Sequence, residues 1–245
     1  MLITGLEEYW RINMGLKSQI EKAIAKTCIK IIKEPLIYFS EADVQQLLTE
    51  NLRAIPALKR LYPTSVNKGK GSKARFATSL IHREYGGGLG RRIDIVIFRE
   101  EDVKGIKDVN LTRNKEYLDP EYAFELGTEK TKDTENHLKK DLEKLENVKN
   151  TGYLIHFFKD TTQARSGTLS RVKTEQKIER AFKSAFEYKR EEGNNKVKML
   201  AILLRTYRDQ VRMRGKCEIF NGEKWVKRNI NKDAELRDAI LSQLR

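Results

Sequence analysis

Cysteine is scarce in this chain. Its two residues, Cys28 and Cys217, lie far apart and form no CxxC pair. That excludes a zinc ribbon or a disulfide framework and points to a reducing, intracellular (cytoplasmic) setting. Histidine is almost as rare, and His82, His137 and His156 make neither HExxH nor any other metal-ligand spacing. No apolar run approaches the roughly eighteen residues needed to span a bilayer, so no membrane partner is expected. The opening stretch MLITGLEEYWRINMG has no positive region ahead of a hydrophobic core, so no secretory signal is expected there.

Acid is also in short supply relative to base. Asp and Glu number 35 against 49 Lys and Arg, a formal net charge of +14 over 245 residues. Such an excess suits a polyanionic partner, because each Lys or Arg set against a phosphate releases condensed counterions. The 39% hydrophobic content is low but sufficient for a core, and the length suits one large domain or one domain with an appendage.

Apolar periodicity predicts a helix over residues 6–33, ended by Pro35, and a second helix capped by Ser40 and closed by Pro56. Val44, Leu47, Leu48, Leu52 and Ile55 form the buried stripe of the second helix. Glu41 and Asp43 favour its dipole, and Glu50 lies off the stripe as a candidate accessory acid. TSLIHREY and RRIDIVIFRE read as two strands joined by GGGLG. Because a strand follows those glycines, they serve a turn rather than a nucleotide. A polar excursion over 101–119 leads to the strand EYAFELG, which completes a three-strand meander. A helix over 133–148 and the apolar strand TGYLIHFF, central in the sheet, come next. A further helix over 171–192, the strand VKMLAILLRTY, a hairpin turning at Asn221-Gly222 and a final helix near 232–244 complete a mixed α/β layer.

Two stretches concentrate the basic charge. From Lys59 to Arg75 there are six basic residues and no acid. NKGKGSKAR, which lacks the GxxxxGK[ST] pattern, reads as a mobile loop whose Lys68, Lys70, Lys73 and Arg75 follow a sugar–phosphate backbone. Between Arg205 and Arg228, eight basic residues face three acids, and Arg205, Arg208, Arg212 and Arg214 are candidate backbone contacts together with Arg92.

Against this background two carboxylates stand out. Asp94 in RRIDIVIF and Glu125 in AFELGTEK are single acids inside apolar strands, where an uncompensated charge is expensive. Strand alternation sets Asp94 on a face with Arg92, Val96 and Phe98, and Glu125 on a face with Ala123 and Gly127. If the strands pair, both carboxylates approach one point and suit Mg²⁺, which takes a few protein oxygens and keeps several waters. Glu84, in HREY, is either a further metal-shell acid or the partner of Arg91 or Arg92.

The order of helix with Glu50, strand HREY, hairpin, strand with Asp94, strand with Glu125, helix with KKDLEKL and buried strand resembles the PD-(D/E)XK nuclease superfamily. The resemblance covers roughly residues 40–158. It implies a restriction-endonuclease-like αβββαβ core in a single domain, with an N-terminal helical extension over 1–35 and a C-terminal extension over 159–245. It also implies an Mg²⁺- or Mn²⁺-dependent endonuclease that hydrolyses phosphodiesters, of DNA rather than RNA, in which a homodimer is a common arrangement. Asp94 and Glu125 fit the two metal-binding acids. The lysine that normally follows two residues after the second acid is replaced by Gly127, and the candidates for its relocation are Lys130, Lys140 and Lys144. The alternative is a catalytically inactive nucleic-acid-binding protein that retains the nuclease fold.

Overall fold

A computed structural model describes residues 3–35, 37–38, 40–67, 73–86, 92–105, 109–110, 118–128, 134–146, 148–160, 169–193, 195–205 and 216–245. Helix α1 spans Ile3–Lys33 and α2 spans Glu41–Arg53. Ser40 and Asp43 close a capping box at the start of α2: the Ser40 side chain accepts from the Asp43 N–H, and the Asp43 carboxylate accepts from the Ser40 N–H at 2.8 Å. Val44, Leu47, Leu48 and Leu52 are buried, as the sequence stripe requires.

The next segment departs from the sequence expectation. The basic stretch is not simply a loop, because Leu61–Asn67 (β1) and Lys73–Ser79 (β2) pair antiparallel along their whole length. The polar excursion likewise holds a short helix, Glu100–Gly105 (α3), and a two-residue strand, Val109–Asn110 (β5), which runs parallel to the end of β1. Lysine and glycine obscure the alternation in β1 and β2, and Pro63 argues against a strand. Among the described residues β5 pairs with β1 only at Val66 and Asn67.

The main sheet has seven strands: Ile81–Tyr85 (β3), Ile93–Ile97 (β4), Tyr122–Gly127 (β6), Thr151–Asp160 (β7), Val197–Arg205 (β8), Lys216–Phe220 (β9) and Trp225–Asn229 (β10). Their order is β10-β9-β8-β7-β6-β4-β3, so the meander of β3, β4 and β6 forms one end and β7 lies at the centre. β6, β7 and β8 run parallel, while the outer pairs are antiparallel. Segment 197–229 therefore extends the same sheet. Helices α4 (Thr134–Leu145) and α5 (Leu169–Glu191) cover the face that carries Glu125 and His156. The face that carries Tyr153 meets Glu21 of α1, which packs on α2 and on α6 (Asp233–Leu244). With helices on both faces, β7 and β8 are almost continuously apolar.

Register is pinned at one end of the meander. Arg99, just after β4, pairs with Glu121, just before β6, at 2.9 Å, and Asn150 donates to the other Glu121 oxygen at 3.1 Å. This clamp sits at the opposite ends of β4 and β6 from Asp94 and Glu125. At the far edge of the sheet, Asn221 Oδ1 accepts from the Glu223 and Lys224 N–H groups, and Gly222 takes φ +94° in the hairpin turn. Among the described residues no helix is long and apolar enough to cross a membrane.

The capping box offers a direct check on this frame. Ser40→Ala is expected to lower unfolding free energy by about 1 kcal/mol in a urea titration. An unchanged midpoint would show that α2 is held by packing alone.

Candidate active site

The site begins with strand register. β4 pairs Ile95 with Phe124 and Val96 with Ala123, so one further step along the ladder sets Asp94 directly across from Glu125. The Leu126 N–H donates to Asp94 Oδ2 at 2.7 Å and fixes that side chain over β6. Both acids are buried, Asp94 at 8% and Glu125 at 2% exposure. On the other side of β4, Arg83 pairs with Ile95 and Tyr85 with Ile93, which leaves Glu84 across from Asp94. Glu84 has φ +50°, the one non-glycine residue with positive φ among those described. A left-handed residue inside a strand costs about 1 kcal/mol, and such strain collects at functional sites. Gln45 of α2 donates to the Glu84 carboxylate at 3.2 Å; among the described residues no pairing of Glu84 with Arg92 is seen, and Arg91 lies outside them.

Helix α4 supplies the opposite wall. His137, Lys140, Asp141 and Lys144 follow an i, i+3, i+4, i+7 pattern and so share one helix face, while Leu138, Leu142 and Leu145 are buried in the core. Lys144 Nζ lies 2.9 Å from Glu125 Oε2 and 2.9 Å from Asp141 Oδ1. His137 Nε2 lies 3.4 Å from the other oxygen of Asp141. His137, Lys140, Asp141 and Lys144, with Glu41, Glu84, Arg92 and Asp94, line an open cleft of about 530 Å³, and Glu125 lies buried behind Lys144.

Electrostatics in the cleft are governed by burial. Burial pushes Asp94 up to about 7; the Leu126 N–H acts the other way and the Glu41 charge adds to the rise. Glu125 is raised by burial and then by the Asp94 and Asp141 charges, with Lys144 opposing. For Lys144, burial acts downward, but Glu125 and Asp141 outweigh it and hold the ammonium above the ordinary lysine value. Three carboxyl groups thus meet one ammonium. Both strand acids are raised, and their carboxylate neighbours keep the Lys144 ammonium charged.

Gly127, two residues after Glu125, is occupied space rather than a gap. A Cβ there would lie 2.3 Å from His156 Nδ1, because the two residues are register partners on β6 and β7. The His156 ring is fully buried, edge-on to Phe182, with burial driving it down to about 3. No side chain fits at position 127 while His156 stays in place. The ammonium that meets Glu125 comes from the helix instead.

The other candidates separate clearly. Lys140 is exposed at the rim of the cleft, as is Arg92. Lys130 lies outside the described residues, as do Lys68, Lys70, Arg208, Arg212 and Arg214. Lys73 and Arg75 lie on β2 and Arg205 ends β8, but their side chains are not among those described. Glu50 does not line the cleft: it is exposed and accepts from Gln46 at 2.7 Å. The acid that α2 brings is Glu41 from its first turn, half-buried and raised chiefly by that burial. From the sequence Glu41 reads as a dipole-favouring residue, and neither Asp141 nor His137 is singled out as a site residue. The i, i+4, i+7 spacing after the Glu125 strand was the signal that could have found them.

A divalent cation fits this chemistry, although among the described residues no three His, Cys, Asp or Glu side chains stand gathered as a ready ligand sphere. Glu125 Oε1 is buried with no hydrogen-bond partner among the described residues. Beside it sits a second buried acid, and both hold protons more tightly than usual. A hard cation that needs only one or two carboxylates and keeps its waters suits that set.

Two measurements follow. A carboxyl that binds its proton more tightly when folded adds stability that is full below its unfolded pKa and is lost as pH rises through the folded value. For Asp94 that window runs from near its ordinary value of 3.8 up to about 7. The melting temperature of the metal-free parent should therefore fall relative to Asp94→Asn across this window, and a pH-independent gap would contradict the raised acidity. Separately, Gly127→Ala should destabilise by about 1–3 kcal/mol through the clash with His156, and His156→Ala should relieve it in the double variant. Simple additivity of the two changes would rule out the steric coupling.

Comparison of the chain with protein-family models, with curated proteins and with solved structures gives no match.

Proposed function

We propose that this chain is a divalent-metal-dependent nuclease of the PD-(D/E)XK, restriction-endonuclease-like type, hydrolysing phosphodiester bonds of DNA. The observation that carries the reading is the placement of buried Asp94 and Glu125 on adjacent strands with Lys144 2.9 Å from Glu125. With β1, β2, β5 and α3 as insertions, the order α2, β3, β4, β6, α4, β7 supports the reading, being compatible with the helix, three strands, helix, strand order of that core.

Asp94 and Glu125 would hold Mg²⁺ or Mn²⁺, with Glu84 and Glu41 near enough in the cleft to bind its waters. When bound, the ion supplies Lewis-acid stabilisation of the negative charge that builds on the phosphate. Lys144 takes the place of the strand lysine: its ammonium donates to Glu125, lies 2.9 Å from Asp141, and keeps an N–H for the attacking water. Arg92 and Lys140, exposed at the rim, contact the phosphate backbone, and the excess of 49 basic over 35 acidic residues draws DNA in.

A second reading, nucleic-acid binding without cleavage, is favoured by one observation: Lys144 already occupies one oxygen of Glu125. A cleavage panel separates the two. With Mg²⁺ or Mn²⁺ the parent is expected to cut DNA, and Asp94→Asn, Glu125→Gln and Lys144→Ala to lose about 100-fold or more in rate while still binding DNA in low salt. Salt-sensitive binding by a parent that never cuts would leave only the second reading.

A further inference from the structure

We propose that His137 gives the proton to the leaving oxygen in phosphodiester cleavage; this rests on the nuclease reading above. Of the three histidines, His156 is fully buried, and His82 has its Nε2 at 2.9 Å from the Ser79 carbonyl and lines no part of the cleft. His137 is different. Its side chain is 39% exposed, it opens on the cleft, and its Nε2 faces Asp141 at 3.4 Å.

Asp141 is the unusual feature. It is 1% exposed, yet its two oxygens face two proton-bearing groups of the same wall, Lys144 at i+3 and His137 at i−4. A carboxylate buried merely to secure α4 would need one partner. This one holds both groups on the cleft side of the helix. The groups that line the cleft with the imidazole are Glu41 of α2, Glu84 of β3, Arg92 and Asp94 of β4, and Lys140, Asp141 and Lys144 of α4.

The step balances. A water oxygen bonds to phosphorus, and the bond from phosphorus to the leaving sugar oxygen breaks with its electron pair going to that oxygen. The oxygen takes a proton from His137 Nδ1. The spare proton of the attacking water goes to solvent through the open cleft. His137 is left neutral, its Nε2–H still directed to Asp141, and is recharged from solvent. Lys144 and His137 thus divide the work on the two sides of the phosphate, with Asp141 aligning both.

The test uses two substrates in Mn²⁺: plasmid DNA, whose leaving alkoxide needs a proton, and bis(p-nitrophenyl) phosphate, whose nitrophenolate does not. His137→Gln is expected to cut DNA about 100-fold more slowly while hydrolysing the nitrophenyl ester within about threefold of the parent. In His137→Ala, added imidazole is expected to restore DNA cleavage. Equal losses on both substrates, or unchanged DNA cleavage, would overturn the proton-donor role and leave the nuclease reading standing. A parent inert toward both substrates would overturn the nuclease reading and this assignment with it.

Discussion

Two carboxylates buried side by side on β4 and β6 set the terms for the rest of the cleft. Two like charges about 5 Å apart, the usual spacing of directly opposed strand side chains, repel by about 3 kcal/mol at an effective dielectric near 20. Removing each from water costs several kcal/mol more. One ammonium cannot offset both, and Lys144 is shared with Asp141 as well. Burial, with the Glu41 charge adding to it, pushes Asp94 up to about 7, so a proton or a cation can meet the remaining charge. On the proposed reading proton and metal ion compete for one site, and the Arg99–Glu121 pair ties β4 to β6 at their other ends.

The departure at Gly127 follows from the same packing. His156 fills the space beside β6 that a side chain at position 127 would need, and it does so as part of an aromatic cluster with Phe182, Phe220 and Trp225 that seats α5 on the sheet. An ammonium carried on α4 leaves that packing intact. It also brings along the remainder of the helix face, so that Lys144, Asp141 and His137 form one connected set rather than a lone lysine on a strand end.

Much of this was legible in the sequence where a period was clean. RRIDIVIFRE and the apolar run of TGYLIHFF marked β4 and β7, and Ser40 marked the start of α2, whereas TSLIHREY, expected as one strand, is divided at Leu80 between the end of β2 and β3. Asp94 and Glu125 were conspicuous because a lone acid in an apolar strand has no cheap explanation. What stayed hidden has physical causes. β1 and β2 carry Pro63 and a Lys/Gly-rich connection that overrides their alternation. Glu41 and Glu50 sit on one helix, and which of them reaches the cleft depends on how α2 crosses the sheet, not on helix period. The cleft-facing side of α4 is as polar as a solvated face, so only the fold shows that it looks onto Asp94 and Glu125.

The most direct test is a calorimetric titration of Mn²⁺ into the full chain at pH 7, run in two buffers of different ionisation enthalpy. The expected result is a single site with net proton release, absent in both Asp94→Asn and Glu125→Gln. Binding without proton release, binding that survives both substitutions, or no binding at millimolar Mn²⁺ would contradict a metal ion shared by these two carboxylates.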